Sequence, residues 1–315
     1  MACLVNDSLI VRPDCPAAIF LNAVAGRGRA LSRLPSLKTL FEQRGFPAEF
    51  FVSNTTAEMQ TFVRAAVAQG RKLFVAMGGD GTVQELVNLT FGKEVTLGVL
   101  PAGGGNDFAA ALHIPKNPLE AARVLMDGLA RRVDVLRART ADGRERLYVG
   151  GGGLGLDAEA ARYANTVFRW VPGRLRYVAS ALRALWGFKP IVVRAQFPGS
   201  TLPEIEMPVL VAAVLNTPSY GAGVRLAPEA VSDDGALNVV LVEDLRAMGV
   251  MKLLPKLLFR GELHTSRARR FAAARVTLSS ATPCPFHGDG DVFGPAPVEI
   301  EVLPRAIRVL SRVAS

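Results

Sequence analysis

Cysteine is scarce in this chain. Cys3, Cys15 and Cys284 form no C-x-x-C pair and are odd in number. A disulfide framework and a cysteine-based zinc site are both excluded, and a reducing compartment is expected. Histidine is equally sparse: His113, His264 and His287 share no ligand spacing with each other or with cysteine, and no role is read for them. No apolar run approaches the ~18 to 20 residues that span a bilayer. The first residues, with Asp7, Arg12 and Asp14, show no secretory pattern. Low-complexity tracts and internal repeats are missing too. A Walker P-loop is absent, because Gly92-Lys93 is followed by Glu94.

What is present is length and apolar mass. The 315 residues, half of them hydrophobic, suffice for about two domains at roughly 150 residues each, which excludes disorder for most of the chain. The net charge of +9 favours an anionic partner: a nucleotide, a polyanion or an anionic membrane. Up to about residue 130, apolar runs such as Ala18–Leu21, Phe50–Val52, Lys72–Met77 and Leu97–Leu100 alternate with amphipathic stretches, including Ala57–Gly70, Val83–Leu89 and Asn106–Leu112. That alternation predicts a parallel α/β sheet. From Val133 onward, β-branched runs between Gly, Pro and Asp turns predict a mainly antiparallel second domain, with helices expected at Arg174–Trp186 and Met248–Phe259 and a short linker at Gly128–Arg132. The expected division is 1–131 and 132–315, with a cleft between the two and a C-terminal end able to return to the first.

Three glycine-dense turns follow apolar runs. Gly78-Gly79-Asp80-Gly81-Thr82 lies between a strand and the helix carrying Glu85 and Asn88. Glycine lets backbone N–H groups approach an anion, and the helix N-terminus adds partial positive charge. Asp80 is out of place in such a turn unless it meets a cation such as Mg²⁺ or takes up a proton; otherwise it is a solvated turn residue. Pro101 to Phe108 repeats the construction one βαβ unit later, with Asn106 or Asp107 expected to cap the next helix. Gly150, Gly152 and Gly155 fit G-x-G-x-x-G, but no Asp or Glu occurs between Glu159 and Glu204 to bind a ribose, so a dinucleotide fold is rejected.

Taken in order, these segments resemble the diacylglycerol kinase catalytic-domain family, which includes bacterial lipid kinases and sphingoid-base and ceramide kinases. The resemblance rests on Asn22-Ala23-Val24-Ala25-Gly26, Gly78 to Asn88, Leu97 to Pro115, Val133-Asp134-Val135, Gly153 to Ala158, Tyr220 to Leu237 and Gly288-Asp289-Gly290-Asp291, and covers nearly the whole chain. It implies an NAD kinase/diacylglycerol kinase-like α/β domain, a β-rich lipid-substrate domain and an active site in the cleft. The implied reaction is ATP- and Mg²⁺-dependent phosphorylation of a lipid hydroxyl, with diacylglycerol converted to phosphatidic acid. A sphingoid base, ceramide or another lipid alcohol is the alternative acceptor, and a non-catalytic nucleotide- or lipid-binding regulator the alternative class.

Carried over by position, the nucleotide falls to Asn22, Arg27, Ser53, Gly78, Gly79, Gly81, Thr82, Glu85, Gly103, Gly104, Asn106 and Asp107. A structural Mg²⁺ falls to Asp234 with the carbonyls of Val231 and Ala236, and Asp291 takes the place of the family's terminal Glu as general base. Asp80 competes for that proton, and Asp134 is a third candidate carboxylate. Three positions depart from the pattern: Ala23 for Pro, Gly104 for Thr and Asp291 for Glu. Two basic stretches, Arg162–Arg194 with Phe168, Trp170, Tyr177, Trp186 and Phe188, and Arg246–Arg275, suit an anionic headgroup layer or else are solvated helix faces. No nucleic-acid-binding signature accompanies them. The expected location is cytoplasmic with peripheral membrane association, and a homodimer is left open.

Overall fold

The computed structural model describes residues 16–244 and 265–312, apart from Arg27, Pro172, Gly187, Ala222 and Ser266. The expected helix at Met248–Phe259 and most of the second basic stretch lie outside the described residues, as does Arg27. The chain divides into two compact units, Met1–Val133 with Arg305–Ser315, and Asp134–Pro304.

In the first unit, β1 (Ala17–Asn22) lies between β2 (Ala48–Ser53) and β3 (Leu73–Gly78), and β3 pairs with β4 (Thr96–Pro101), all parallel. The end of the last strand, β15 (Val298–Ser311), adds in parallel beside β4 through Arg308 and Val309. Strands β1, β3 and β4 are almost wholly buried, which is why they read as continuous apolar runs. The connecting helices are α1 (Arg29–Gln43), α2 (Thr56–Ala68), α3 (Asp80–Thr90), the short α4 (Asp107–Ala111) and α5 (Pro118–Asp127). Helix α2 buries Met59, Val63 and Ala66 at helical spacing, and begins where the Thr55 hydroxyl accepts the Glu58 N–H while Glu58 accepts the Asn54 N–H. Helix α5, which the sequence reading lacked, opens on an Asn117 cap with Pro118 at its first position.

The second unit is mainly antiparallel. Strand β9 (Ile205–Leu215) pairs with β8 (Ile191–Gln196), β7 (Gly151–Gly155) and β10 (Leu237–Glu243). Beyond β7 follow β13 (Pro285–Gly288) and β14 (Asp291–Pro295); beyond β8 follow β12 (Arg275–Ser280) and the first part of β15. Strand β11 (Ala268–Ala273) pairs with β10, and β5 (Leu129–Thr140) with β6 (Glu145–Tyr148). Tyr148, Leu154, Val193, Val209, Val239, Leu278, Phe286 and Ile300 share one core. Two helices, α6 (Leu156–Asn165) and α7 (Gly173–Leu185), interrupt the strands; α7 fits its expected range, and α6 was not foreseen.

Two expectations need correction. Residues 129–132, read as a linker, are the start of β5: Ala130 and Val133 are buried, so the pattern is that of a strand rather than a solvated connection. The two runs read separately at Val298–Val302 and Ala306–Leu310 are one strand, β15.

Candidate active site

In the first unit, the turns after β1, β3 and β4 lie against one another. A Cβ on Gly26 (φ +58°) would overlap the Ala102 carbonyl, and Gly79 and Gly103 pack backbone on backbone. The Thr82 hydroxyl fills the space a Cβ on Gly78 would need. Side chains then tie the turns together. Asn22 Nδ2 donates to Thr82 Oγ1 at 3.4 Å, and the Asn106 amide forms two 3.1 Å bonds with Gly103, one to its N–H and one to its carbonyl.

Asp80 does most of this work. Its carboxylate accepts the Asn106 N–H at 2.7 Å and the Phe108 N–H at 3.3 Å. Asn106, in the left-handed region at φ 59°, does not cap α4 with its side chain. The cap comes from Asp80, 26 residues earlier in the chain. The apparent conflict of a carboxylate in an anion-binding turn is thus resolved by peptide dipoles: two N–H groups face its charge.

The other nucleotide candidates divide. Gly81 and Gly104 are exposed on their turns, and Thr82 is buried beneath. Ser53 is buried, with its hydroxyl donated to the Leu21 carbonyl at 3.2 Å. Glu85 is buried on α3 and accepts from Gln60 of α2 at 2.7 Å, a bond that ties the two helices together. Arg29 was missed. Its guanidinium donates to the carbonyls of Gly26 (2.9 Å) and Gly103 (3.5 Å), bridging two of the three turns. The signal was the alternation Gly26-Arg27-Gly28-Arg29, which offers two arginines where only the first was considered.

In the second unit, Asp289 of the β13–β14 turn accepts three N–H bonds, from Val149 and Gly150 at 2.9 Å and Gly151 at 3.0 Å. Its backbone is left-handed (φ 49°) and reaches the surface, while the carboxylate turns inward; the resulting desolvation outweighs the three donors and raises its pKa to about 6. Asp291, two residues on, is exposed and pairs with Arg146 at 3.3 Å. His287 is fully buried, with Nε2 2.7 Å from the Tyr220 hydroxyl and 3.1 Å from the Asp157 carboxylate. A histidine with no sequence neighbour of interest therefore sits in a polar cluster directly before the Asp289 turn.

Asp134 is fully buried as well. It accepts the Gly235 N–H at 2.8 Å, and its own N–H donates to the Ser232 carbonyl at 2.7 Å. The Gly235 bond ties this carboxylate to the turn that carries Asp234. Asp234 accepts the Ala236 N–H at 3.0 Å, and Val231 is half exposed. Among the described residues no group of three His, Cys, Asp or Glu side chains is arranged to hold a metal ion. The Asp234 carboxylate and the carbonyls of Val231 and Ala236 are hard oxygens of the kind Mg²⁺ accepts.

Comparison with known proteins identifies this pattern. Residues 16–138 match the diacylglycerol kinase catalytic domain, and residues 152–311 match the YegS C-terminal NAD kinase beta sandwich-like domain. A diacylglycerol kinase of Mycobacterium tuberculosis is 30% identical over 92% of this chain and 93% of its own length. The chain belongs to the diacylglycerol kinase family. A second relative, the diacylglycerol kinase of Bacillus subtilis, is 26% identical over 93% of this chain and 95% of its own. A solved diacylglycerol kinase structure from Bacillus anthracis superposes with a TM-score of 0.69 at 19% identity, covering 94% of this chain and 97% of that one, which shows the fold. As a member of this family the protein is a lipid kinase, a phosphotransferase whose acceptor is an alcohol, and the family implies ATP as donor. Among the described residues no helix is long and apolar enough to cross a membrane.

Proposed function

We propose that this lipid kinase transfers the γ-phosphoryl group of ATP to the free hydroxyl of diacylglycerol, forming phosphatidic acid. The observation that carries the reading is the interlock of Gly26, Gly79 and Gly103, which brings three turns at the carboxyl ends of parallel strands onto one another. Turns built this way offer backbone N–H groups, beside the start of α3, to the charge that spreads over phosphoryl oxygens in transfer. Relatives from two genera that carry the diacylglycerol kinase name support the choice of acceptor.

In the proposed reaction the acceptor oxygen forms a bond to the γ-phosphorus, the bond from that phosphorus to the β–γ bridging oxygen breaks, and the hydroxyl proton passes to Asp291. An ordinary aspartate, with a pKa of ~3.9, is ionised at neutral pH and is a weak base, so its effect depends on placement. Asp291 is exposed and pairs with Arg146. Asp80, already engaged by two backbone donors, is assigned to holding the turns. Bound Mg²⁺ supplies positive charge, and Asp234 with the carbonyls of Val231 and Ala236 is the proposed structural magnesium site.

The test is mass spectrometry of a lipid extract in mixed micelles, incubated with the chain, Mg²⁺ and labelled ATP. Label in phosphatidic acid is the expected result. Label in a phosphorylated sphingoid base or ceramide overturns the acceptor, and ATP binding without any labelled lipid indicates a regulator instead.

A further inference from the structure

The glycines that open β7 make room for one set of polar residues. A Cβ on Gly150 would lie 2.6 Å from the Asp289 carboxylate, one on Gly151 3.0 Å from the Tyr220 ring, one on Gly152 2.4 Å from the His287 carbonyl and one on Gly153 2.4 Å from Asp157 Oδ2. Each of these four successive positions is thus kept free of a side chain by a different member of the set. The spacing that imitates a dinucleotide loop is set by what packs on the strand.

His287 is the centre of the set. Its Nε2 faces both the Tyr220 hydroxyl and Asp157 Oδ2, and its ring stacks on Tyr220 with centroids 5.6 Å and planes 25° apart. Asp157 is the second residue of α6, and its side chain is 8% exposed. Its Oδ1 accepts the Ala158 N–H at 2.9 Å, whereas Oδ2 and His287 Nδ1 are both buried without a hydrogen bond. Polar atoms left in this way cost stability that a phenylalanine would not, and Phe286, the preceding residue, fills the adjoining core without that cost. What the ring gains for the fold is orientation of the strand that carries it. Strand β13 joins β7 through two register pairs, His287 with Gly153 and Gly288 with Gly152, and its pairing with β14 shifts register between Phe286 and His287. So short a ladder with an irregularity inside it specifies the place of the following turn weakly. Two side chains make it definite, one on each side of Gly288: Asp289 gathers the Val149, Gly150 and Gly151 N–H groups, and His287 locks against Asp157 and Tyr220.

We infer that His287 is a positioning residue for phosphoryl transfer: held by Asp157 and Tyr220, it fixes the β13–β14 turn and with it the place of Asp291. The inference rests on the proposed function in taking Asp291 as the proton acceptor, and it is independent of which lipid hydroxyl is phosphorylated. His287 itself is fully buried and meets neither substrate. It acts through the backbone of the turn, in the way that a supporting shell holds a reacting group within a fraction of an ångström of its working position.

The test measures label passed from ATP into a total lipid extract in mixed micelles, whichever lipid takes it, at a temperature well below each variant's melting transition. His287→Phe keeps the ring stack and loses both nitrogens. Its kcat should fall on the order of tenfold, as for a small misplacement of a reacting group, with the KM for ATP unchanged. His287→Gln keeps a polar donor and should recover part of that loss, whereas a position that only fills the core would favour Phe over Gln. Tyr220→Phe and Asp157→Asn leave the histidine in place and remove one partner each; both should show the same split between kcat and KM on a smaller scale, and they carry the test if His287→Phe does not fold. In an Asp291→Asn background His287→Phe should add little, because both substitutions then act on one step. Wild-type kcat in the His287→Phe variant, or in both partner variants should that one not fold, overturns the proposal. So does a loss that falls on the KM for ATP, a Phe variant faster than the Gln variant, or losses that multiply in the double variant when each single variant is slow. Wild-type turnover of Asp291→Asn beside a slow His287→Phe removes the base assignment and leaves His287 positioning the turn. The converse pattern removes the positioning role and leaves the base.

Discussion

The tripeptide Gly-Asp-Gly occurs at 79–81 and again at 288–290, once in each unit, and the two aspartates do the same thing in different surroundings. Each carboxylate reaches across to a second glycine-bearing segment and collects its backbone N–H groups. Asp80 takes two, at the start of α4; Asp289 takes three, at the start of β7. Asp80 is itself the first residue of a helix, whereas Asp289 occupies a left-handed position in a hairpin turn with its carboxylate desolvated. One device therefore serves both units as a stitch between loops. The second, its pKa raised to about 6 by desolvation, carries a built-in sensitivity to pH near neutrality.

The comparison breaks first, and most severely, at Asp80. In Asp80→Ala two N–H groups at α4 lose their acceptor, at a cost of about 1 to 3 kcal/mol. The Gly103 turn then loses its fixed distance from Gly79. Since displaced backbone donors in comparable sites cost on the order of 10² to 10³ in turnover, transfer of labelled phosphate should fall by at least that factor, with weaker ATP binding by calorimetry. Turnover near that of the wild type would show that the stitch is dispensable. Asp291→Asn comes next. It leaves both stitches intact and removes only the proposed proton acceptor, so turnover should fall by on the order of 10²-fold while ATP affinity holds. If that variant works like the wild type, the base lies elsewhere.

Asp289→Asn sharpens the contrast in environment. The native carboxyl titrates at about 6, above its unfolded value near 3.8, because its charged form is desolvated. Two consequences of opposite sign follow. The native state binds the extra proton between about pH 4 and 6, so this group's contribution to stability is greatest at the acid end, declines as pH rises through that window and is level above it. Activity should move the other way. Protonation as pH falls through about 6 discharges the acceptor that holds three N–H groups beside Asp291, producing an acid limb in turnover. Asn keeps one oxygen and no charge, so the variant should lose about tenfold at neutral pH and show neither the acid limb nor this group's pH-dependent melting. Melting curves and rates from pH 4 to 8 on both proteins check the two signs independently.

Much of the first unit was legible because its signals are local. Strands β1, β3 and β4 are apolar runs, and each ends on glycine or a turn residue before a helix. What escaped was set by contacts between distant segments. The cap of α4 was sought in Asn106 or Asp107, residue types favoured at that position, but Asp80, one helix and one strand earlier, accepts the N–H groups there. Asp289 entered only as part of the Gly288–Asp291 motif and His287 without a role, because the Val149–Gly151 N–H groups and Tyr220 that define them lie far off in sequence. The repeated Gly-Asp-Gly was the available signal, and it is visible only when the two halves of the chain are compared. Helix α6 was hidden by its own entrance, since Gly150 to Gly155 commands attention as a glycine motif and the helix starts immediately after it.

The smallest effect concerns the exposed glycine next to the Gly79–Gly103 contact. Gly104 is exposed and stands where the family pattern places a threonine facing nucleotide, one residue beyond the Gly103 that packs on Gly79. Gly104 is not among the left-handed glycines, as Gly26 is, so a side chain there escapes the backbone strain that Gly26 would suffer. Gly104→Thr should then restore a hydrogen bond of about 0.5 to 1.5 kcal/mol, equivalent to roughly two- to tenfold tighter ATP binding. The same substitution at Gly103 should collapse activity, because a Cβ there meets both Gly79 and the Asn106 side chain. Calorimetric ATP affinities of the two neighbouring variants give the comparison directly: a gain at 104 and a loss at 103 support the interlocked turns as the nucleotide site, and similar losses at both would mean that Gly104 is held by packing not accounted for in this arrangement.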